Sequence, residues 1–307
     1  MAPLACSAPQ DAGARSDAER PSIRIAQDDA GASLIPALRD ALARAMPDLQ
    51  VEVLESSAGV TNLVLLQRGE VDTASTFADI AYMASVGQLS DMPAPFAQLR
   101  AIAALPPREL QVVAAPGSSI RSIRDLRGRR VSLGPPGTGV ALTAMLLLSA
   151  FDIGVHDIKA EYLEFLDAGD ALLEREIDAA FWGGRFPNEN IGKALSRGAR
   201  LLQIVGPEIE RFRAEYPFLR PMVIRAGAHP GLDYAVHTVG VDRILVCRAD
   251  LDERLVYTLT KAFFQAVATA GQDVRMFHGF NMSRAGATPL PLHPGAARYY
   301  REVEMRR

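Results

Sequence analysis

At 307 residues the chain is long enough for two compact α/β domains, because single cores stop growing at roughly 250–300 residues. Lys plus Arg (33) nearly balances Asp plus Glu (36), for a net charge of -3, so there is no basic excess to neutralise phosphates and no nucleic-acid partner is expected. Hydrophobic residues make up 49% of the chain, yet no run reaches the ~20 uninterrupted apolar residues that a spanning helix needs.

The first residues are rich in Ala, Ser, Pro, Asp and Gly without periodicity, so 1–21 reads as a disordered tether. A charged stretch followed by an apolar one is missing there, and any secretion signal is expected to have been removed. Leu4-Ala5-Cys6-Ser7 is similar to the end of a bacterial lipoprotein signal, although Pro3 stands where leucine is usual; Cys6 is either a lipidation site or an exposed tail cysteine. Cys247 lies in an apolar run and is expected in a core, unpaired with Cys6. With no CxxC and five scattered histidines, neither a metal site nor a cofactor is expected.

Apolar strand-like runs then alternate with amphipathic stretches, the pattern of mainly parallel α/β sheets. Strands are predicted at 23–26, 51–54 and 73–77, with helices at 35–46, stopped by Pro47, and 60–68, ended by Gly69. Two further strands are predicted at 99–104 and 110–115. After a turn at 116–119, a second unit follows: strand 130–133, helix 140–151, strand 160–163, helix 168–176, strand 179–182 and a long helical segment over 189–216. Beyond the loop 226–231, 238–248 reads as strand and 255–270 as helix. The chain thus divides into a discontinuous lobe I, 22–115 plus 236–307, and an inserted lobe II, 116–235, with two crossings that form a hinge.

Gly134-Pro-Pro-Gly-Thr-Gly139 begins like a phosphate-cradling loop, but Val140 and Ala141 stand where Lys and Ser/Thr are required, which argues against ATP. What remains is a turn between strand and helix. Pro136, Gly137 and Thr138 either present N–H and hydroxyl groups to a carboxylate or only cap the helix.

Three sets of strings carry a family resemblance. The first is Leu99-Arg-Ala-Ile-Ala-Ala-Leu105 with Leu110-Gln-Val-Val and the run from Ser119 through Asp125-Leu-Arg-Gly to Gly139. The second is Glu215-Tyr-Pro-Phe218, Ala226-Gly-Ala-His-Pro-Gly231, Thr238-Val-Gly-Val241 and Asp250-Leu-Asp-Glu-Arg-Leu-Val-Tyr257. The third is Pro291-Leu-His-Pro-Gly-Ala-Ala-Arg-Tyr-Tyr-Arg-Glu302. Together they resemble the TAXI family, the TRAP-associated extracytoplasmic immunogenic solute receptors. The resemblance implies a two-lobed, type II-like periplasmic binding protein clamshell of class α/β, each lobe a mainly parallel sheet flanked by helices. It also implies a monomer in the periplasm, free or lipid-anchored, with a small-molecule ligand, an organic acid or amino acid, in the interlobe cleft and TRAP membrane permease subunits as partners.

Matched to that family, the loop after the first strand, Gln27-Asp28-Asp29 through Ser33-Leu34, carries acids where glycines are usual and Leu34 in place of a tyrosine. Asp28 and Asp29 either meet an amino group or cation, or cap the helix. Ser56, Ser57 and Asn62 match a donor-rich segment, with capping alone a sufficient account of Ser57. Phe77 makes the third strand end apolar, and the neighbouring Asp79 caps a helix. Trp182 and Arg185 depart from a small-residue segment; Arg185 either clamps a carboxylate bidentately or pairs with Glu189 or Asp28. The ligand is expected on Arg185, Thr138 and the Ser56-Ser57 loop, packed by Phe77 and Trp182. Two other readings stay open: a sensor lobe feeding a signalling protein, and an enzyme on the same scaffold. Against the enzyme stands the lack of any Cys, His and acid cluster at the strand ends.

Overall fold

The computed structural model describes residues 21–27, 35–56, 59–89, 92, 94–184, 187–270, 277 and 281–305. Cys6, Asp28, Asp29, Ser33, Ser57 and Arg185 lie outside them.

The chain builds the same five-element unit twice. β1 (Ser22–Gln27), α1 (Ile35–Ala45), β2 (Gln50–Glu55), α2 (Gly59–Gln67) and β3 (Thr73–Phe77) form the first; α3 (Ala78–Ser85) and the long β4 (Leu99–Ala114) follow. β5 (Arg130–Ser132), α4 (Gly139–Ala150), β6 (Lys159–Glu161), α5 (Phe165–Leu173) and β7 (Ala179–Gly184) form the second. The chain continues through α6 (Glu189–Ser196), β8 (Arg200–Leu201), α7 (Pro207–Glu215), β9 (Leu219–Ile224), β10 (Val236–Arg248), α8 (Glu253–Ala270) and α9 (Pro294–Glu304).

Among the described residues the strands run in the order β2-β1-β3-β10-β4-β7-β5-β6, with β8 beside β4 and β9 beside β10. Within each unit the pairing is parallel, β1 with β2 and β3, and β5 with β6 and β7. β10 and β4 are antiparallel to each other and to the inner strands β3 and β7, and so join the halves. The expected two-lobed α/β architecture is therefore present. A core over one face of the sheet spans both halves and includes Leu63, Ile80, Val112, Leu147, Phe181 and Phe212. Ile23, Leu42, Leu259 and Phe263 anchor a second core, and Trp182, Leu172 and Leu195 a third. Cys247 is fully buried in the second core, where desolvation pushes its thiol up to about 12.

Three expectations are corrected. The strands predicted at 99–104 and 110–115 are one, β4, which runs through Pro106 and Pro107. Proline donates nothing to a ladder and normally ends a central strand. Here β10 shifts register, with Asp242 opposite Pro107 and Arg243 opposite Leu105, so Pro106 is accommodated as a bulge. The helical segment 189–216 is two helices separated by β8, the first ended by a loop in which Gly198 takes a φ of +90°. β9 and α9 were not anticipated.

The two units also share a clasp. The backbone N–H and Nε of Arg24 donate to Asp72 Oδ2 at 2.8 and 3.1 Å, and its Nη2 donates to the Gly69 carbonyl and to Asp72 Oδ1 at 2.8 and 2.9 Å. In the second unit the same atoms of Arg130 meet Asp178 Oδ2 at 2.8 and 3.2 Å, then the Arg175 carbonyl and Asp178 Oδ1 at 2.7 and 2.9 Å. Each clasp ties the start of its unit's middle strand, β1 or β5, to the start of the inner strand beside it, β3 or β7.

Candidate functional site

A cavity of about 250 Å³ lies where the two units face each other across β4 and β10. Gly59, Phe77 and Ile80 line it from the first unit and α3, and Thr138, Gly139, Val140, Phe165, Gly183 and Gly184 from the second; β4 and β10 contribute Arg108 and Arg243.

Strand register places both arginines. β10 sets Arg243 directly opposite Phe77, and β4 sets Arg108 opposite Val241. Both guanidinium groups lie over the Phe77 ring, at 3.9 Å for Arg108 and 4.5 Å for Arg243, an attraction between cation and ring quadrupole. Arg243 Nη1 also donates to Ser75 Oγ at 3.1 Å.

Arg108 is buried and held from both sides of the cleft. Its Nη2 pairs with Asp79 Oδ2 in α3 and donates to Thr143 Oγ1 in α4 at 3.2 Å. The Thr143 hydroxyl donates to Asp79 Oδ2 at 2.6 Å, with the Gly139 carbonyl 2.8 Å away as its other acceptor. Asp79, fully buried, accepts from the Ile80 N–H on its other oxygen. Among the described residues, Nη1 of Arg108 is buried and has no hydrogen-bond partner. Burial lowers this arginine's pKa, Asp79 opposes that shift and Arg243 adds to it, so the two guanidiniums sense one another. A buried charged donor without an acceptor is costly and calls for an explanation.

Two glycines make room for it. A Cβ on Gly139 would sit 2.6 Å from Arg108 Nη2, and one on Gly183 would meet Val140 at 2.4 Å and the Arg108 chain at 3.0 Å. Gly139 also opens α4, whose first N–H groups have no acceptor earlier in the helix, and the Thr138 cap hydroxyl satisfies only that of Ala141, at 3.3 Å.

Of the residues expected to bind, Phe77 and Thr138 line this cavity, whereas Pro136 and Gly137 stand exposed on the loop leading to it. Gln27, Ser56 and Asn62 are not among its lining residues but are joined to one another. The Ser56 N–H donates to the Gln27 carbonyl at 2.8 Å, its hydroxyl donates to Asn62 Oδ1, and Asn62 Nδ2 donates to the carbonyl of Ser75, the residue that receives Arg243. Trp182 is corrected: it is 1% exposed in the third core, because strand alternation turns it to the face opposite Gly183. Asp79, read as a cap, is instead the partner of Arg108.

Sequence reasoning missed Arg108, Arg243 and Thr143. The available signal was a charge inside each apolar run that joins the lobes, since a charge within a buried strand requires a partner. In the loop before β10, His229 Nδ1 accepts the Asn188 N–H at 3.0 Å, so Nε2 carries the proton and donates to Gln111 Oε1 at 2.7 Å. Gln111 Nε2 in turn donates to the Gly184 carbonyl at 3.2 Å, tying that network to the cavity wall. Among the described residues no group of three or more His, Cys, Asp or Glu side chains gathers where it could hold a metal ion, and no helix is long and apolar enough to cross a membrane.

A model of the NMT1-like family matches residues 34–303. The chain is similar in structure to the periplasmic aliphatic sulphonate-binding protein SsuA of Escherichia coli, with a TM-score of 0.54 at 18% identity over 91% of this chain and 78% of that one. It is similar to XAC2383 of Xanthomonas citri, in a structure bound to ATP, with a TM-score of 0.57 at 16% identity over 92% and 96% of the chains. It is also similar to the Candida albicans CA3427 gene product, described as having the generic periplasmic binding protein fold, with a TM-score of 0.52 at 12% identity over 92% and 80%. The fold is that of the periplasmic binding proteins.

Proposed function

We propose that this chain, which belongs to the NMT1-like family, is an extracytoplasmic solute receptor that holds a small organic anion in the cavity between its halves and releases it unchanged. The observation that carries this reading is the buried, unpartnered Nη1 of Arg108 at the cavity wall, beside Arg243 and the first N–H groups of α4. A carboxylate or sulfonate supplies the acceptor that this donor lacks, and a charge-assisted bond of this kind contributes about 1.5–3 kcal/mol. In this reading, residues 22–115 with 236–307 form one lobe and 116–235 the other, and they close over the ligand about β4 and β10. The TAXI-like strings support a TRAP permease pair in the membrane as the partner and a periplasmic setting; co-purification with such a pair is the check on that part. The sulfonate carried by SsuA supports including sulfonates in the screen.

Calorimetry with carboxylates, sulfonates and their neutral amides tests the reading. The acids bind, the amides bind at least about tenfold more weakly, and mass spectrometry recovers each ligand unaltered. The paired variant Asp79→Asn with Arg108→Gln removes both charges together, avoiding an unpaired buried ion, and loses about tenfold or more in affinity. Equal binding of amide and acid, or an unaffected paired variant, would sink the proposal.

A further inference from the structure

We infer that the cavity takes a compact acid whose body is apolar and carries no amino or hydroxyl group; this rests on the anion reading above and narrows it. The reason is an imbalance in hydrogen-bonding capacity. The wall offers donors, namely Arg108 Nη1 and the opening N–H groups of α4. Among the described residues, each acceptor named here already holds at least one partner. The Gly59 carbonyl accepts the Thr76 hydroxyl at 3.1 Å, that of Gly139 lies 2.8 Å from the Thr143 hydroxyl, and that of Gly184 accepts Gln111 at 3.2 Å. The one hydroxyl on the wall, Thr138, donates to the Pro135 carbonyl at 2.7 Å and accepts from Ala141. Both oxygens of Asp79 are occupied as well, by Ile80 on one side and by Arg108 and Thr143 on the other.

The remaining wall is hydrocarbon: Phe77, Ile80, Val140 and Phe165, interrupted by bare backbone at Gly183 and Gly184. A ligand N–H or O–H placed against it leaves water and finds no equivalent acceptor, a transfer that costs about 1–3 kcal/mol in proteins. A methylene in the same place gains about 0.8 kcal/mol. At about 250 Å³ the space lies just below the roughly 300–1,000 Å³ of pockets for drug-sized molecules, so the body is short. The amino acid expected from the sequence is disfavoured, because its ammonium group would have to share acceptors that already hold a partner among the described residues of this wall.

The test uses matched probes and the full chain in calorimetry: butyrate, valerate and caproate as a length series, then isocaproate against leucine, leucic acid and isocaproamide. Affinity rises about fourfold per methylene until the cavity is full. Leucine and leucic acid, which share the isocaproate skeleton, bind about tenfold or more weakly. Val140→Thr supplies an acceptor within the wall and reduces the preference for isocaproate over leucic acid by several-fold. If leucine or leucic acid matches isocaproate while isocaproamide stays weak, the apolar-body inference is wrong and the anion reading stands. If isocaproamide matches isocaproate, or no acid binds, both are wrong. A preference that Val140→Thr leaves unchanged overturns the placement of the body against this wall.

Discussion

Arg24 makes three hydrogen bonds to Asp72, 48 residues on, and one to the Gly69 carbonyl, 45 residues on; Arg130 makes the same three to Asp178 and the same one to the Arg175 carbonyl at the same separations, each clasp before a strand that leads to the cavity. The bend that receives the clasp is repeated too: Gly69 and Arg175 both take positive φ, +71° and +61°, ahead of Glu-Val-Asp72 in one half and Glu-Ile-Asp178 in the other. At the opposite ends of the same strands the likeness stops. β3 ends in Phe77, which lies under two guanidiniums, whereas β7 ends in Gly183, which stands aside for Arg108 and Val140, and Gly184, which takes a φ of +136°. The strand starts are built alike, and the strand ends differ, as the proposed reading requires: a ligand held there would need a filled surface on one side and an open one on the other. The pattern agrees with ligands settling at the carboxyl ends of strands in open α/β sheets.

The sharpest way to break this comparison is at Asp79, which has no described counterpart in the second unit. Asp79→Ala leaves Arg108 as a buried unpaired cation and is expected to lower unfolding free energy by about 3–5 kcal/mol in urea melts. A loss below about 1 kcal/mol would mean that water or another group takes over. The repeated bend predicts opposite signs at equivalent places. Gly69→Ala is expected to destabilise by about 1 kcal/mol, since a Cβ is strained at that φ, whereas Arg175→Gly relieves the same strain and raises stability by a smaller amount. Both changes destabilising would break the equivalence.

The smallest effect is in acid. For Asp72 burial works against ionisation, but the bonds and charge of Arg24 outweigh it; for Asp178 the Arg130 bonds dominate, and both carboxyls are held below the ordinary 3.8. A depressed carboxylate contributes stability that is present above its unfolded pKa and is lost as pH falls through the folded one. Asp72→Asn and Asp178→Asn are therefore each expected to flatten the decline in urea midpoint below pH about 4. The flattening is greater for Asp72, whose side chain is 13% exposed against 29% for Asp178. The reverse order would show that the clasps are not alike.

Much of the frame was legible because short apolar runs alternating with amphipathic stretches have few other folded solutions: 73–77 and 238–248 read as strands from their own composition. The site was less legible, for two physical reasons. Arg108 follows two prolines, which suggest a break, and only the register shift of the distant β10 turns that break into a continuous strand. Trp182 has the composition of a binding residue, yet the period of two along β7 decides which face it takes, and a neighbouring glycine gives no local sign of which face is the cavity. Phe77 and Thr138, which line the cavity, sit where a strand ends or a helix starts, positions that sequence does mark.

Pro106 and Pro107 have a consequence for amide exchange. At that level of β4 two consecutive residues have no N–H, so the ladder between the halves contains a rung that was never formed. Bending there sacrifices no bond donated by those two residues, so the opening and closing proposed for the halves costs less than unzipping the sheet on either side. Since Arg108 is the next residue along, any change of angle at this crease swings the orphaned donor itself, and the protection of the Arg108 amide against deuterium becomes a gauge of whether the halves are apart or together.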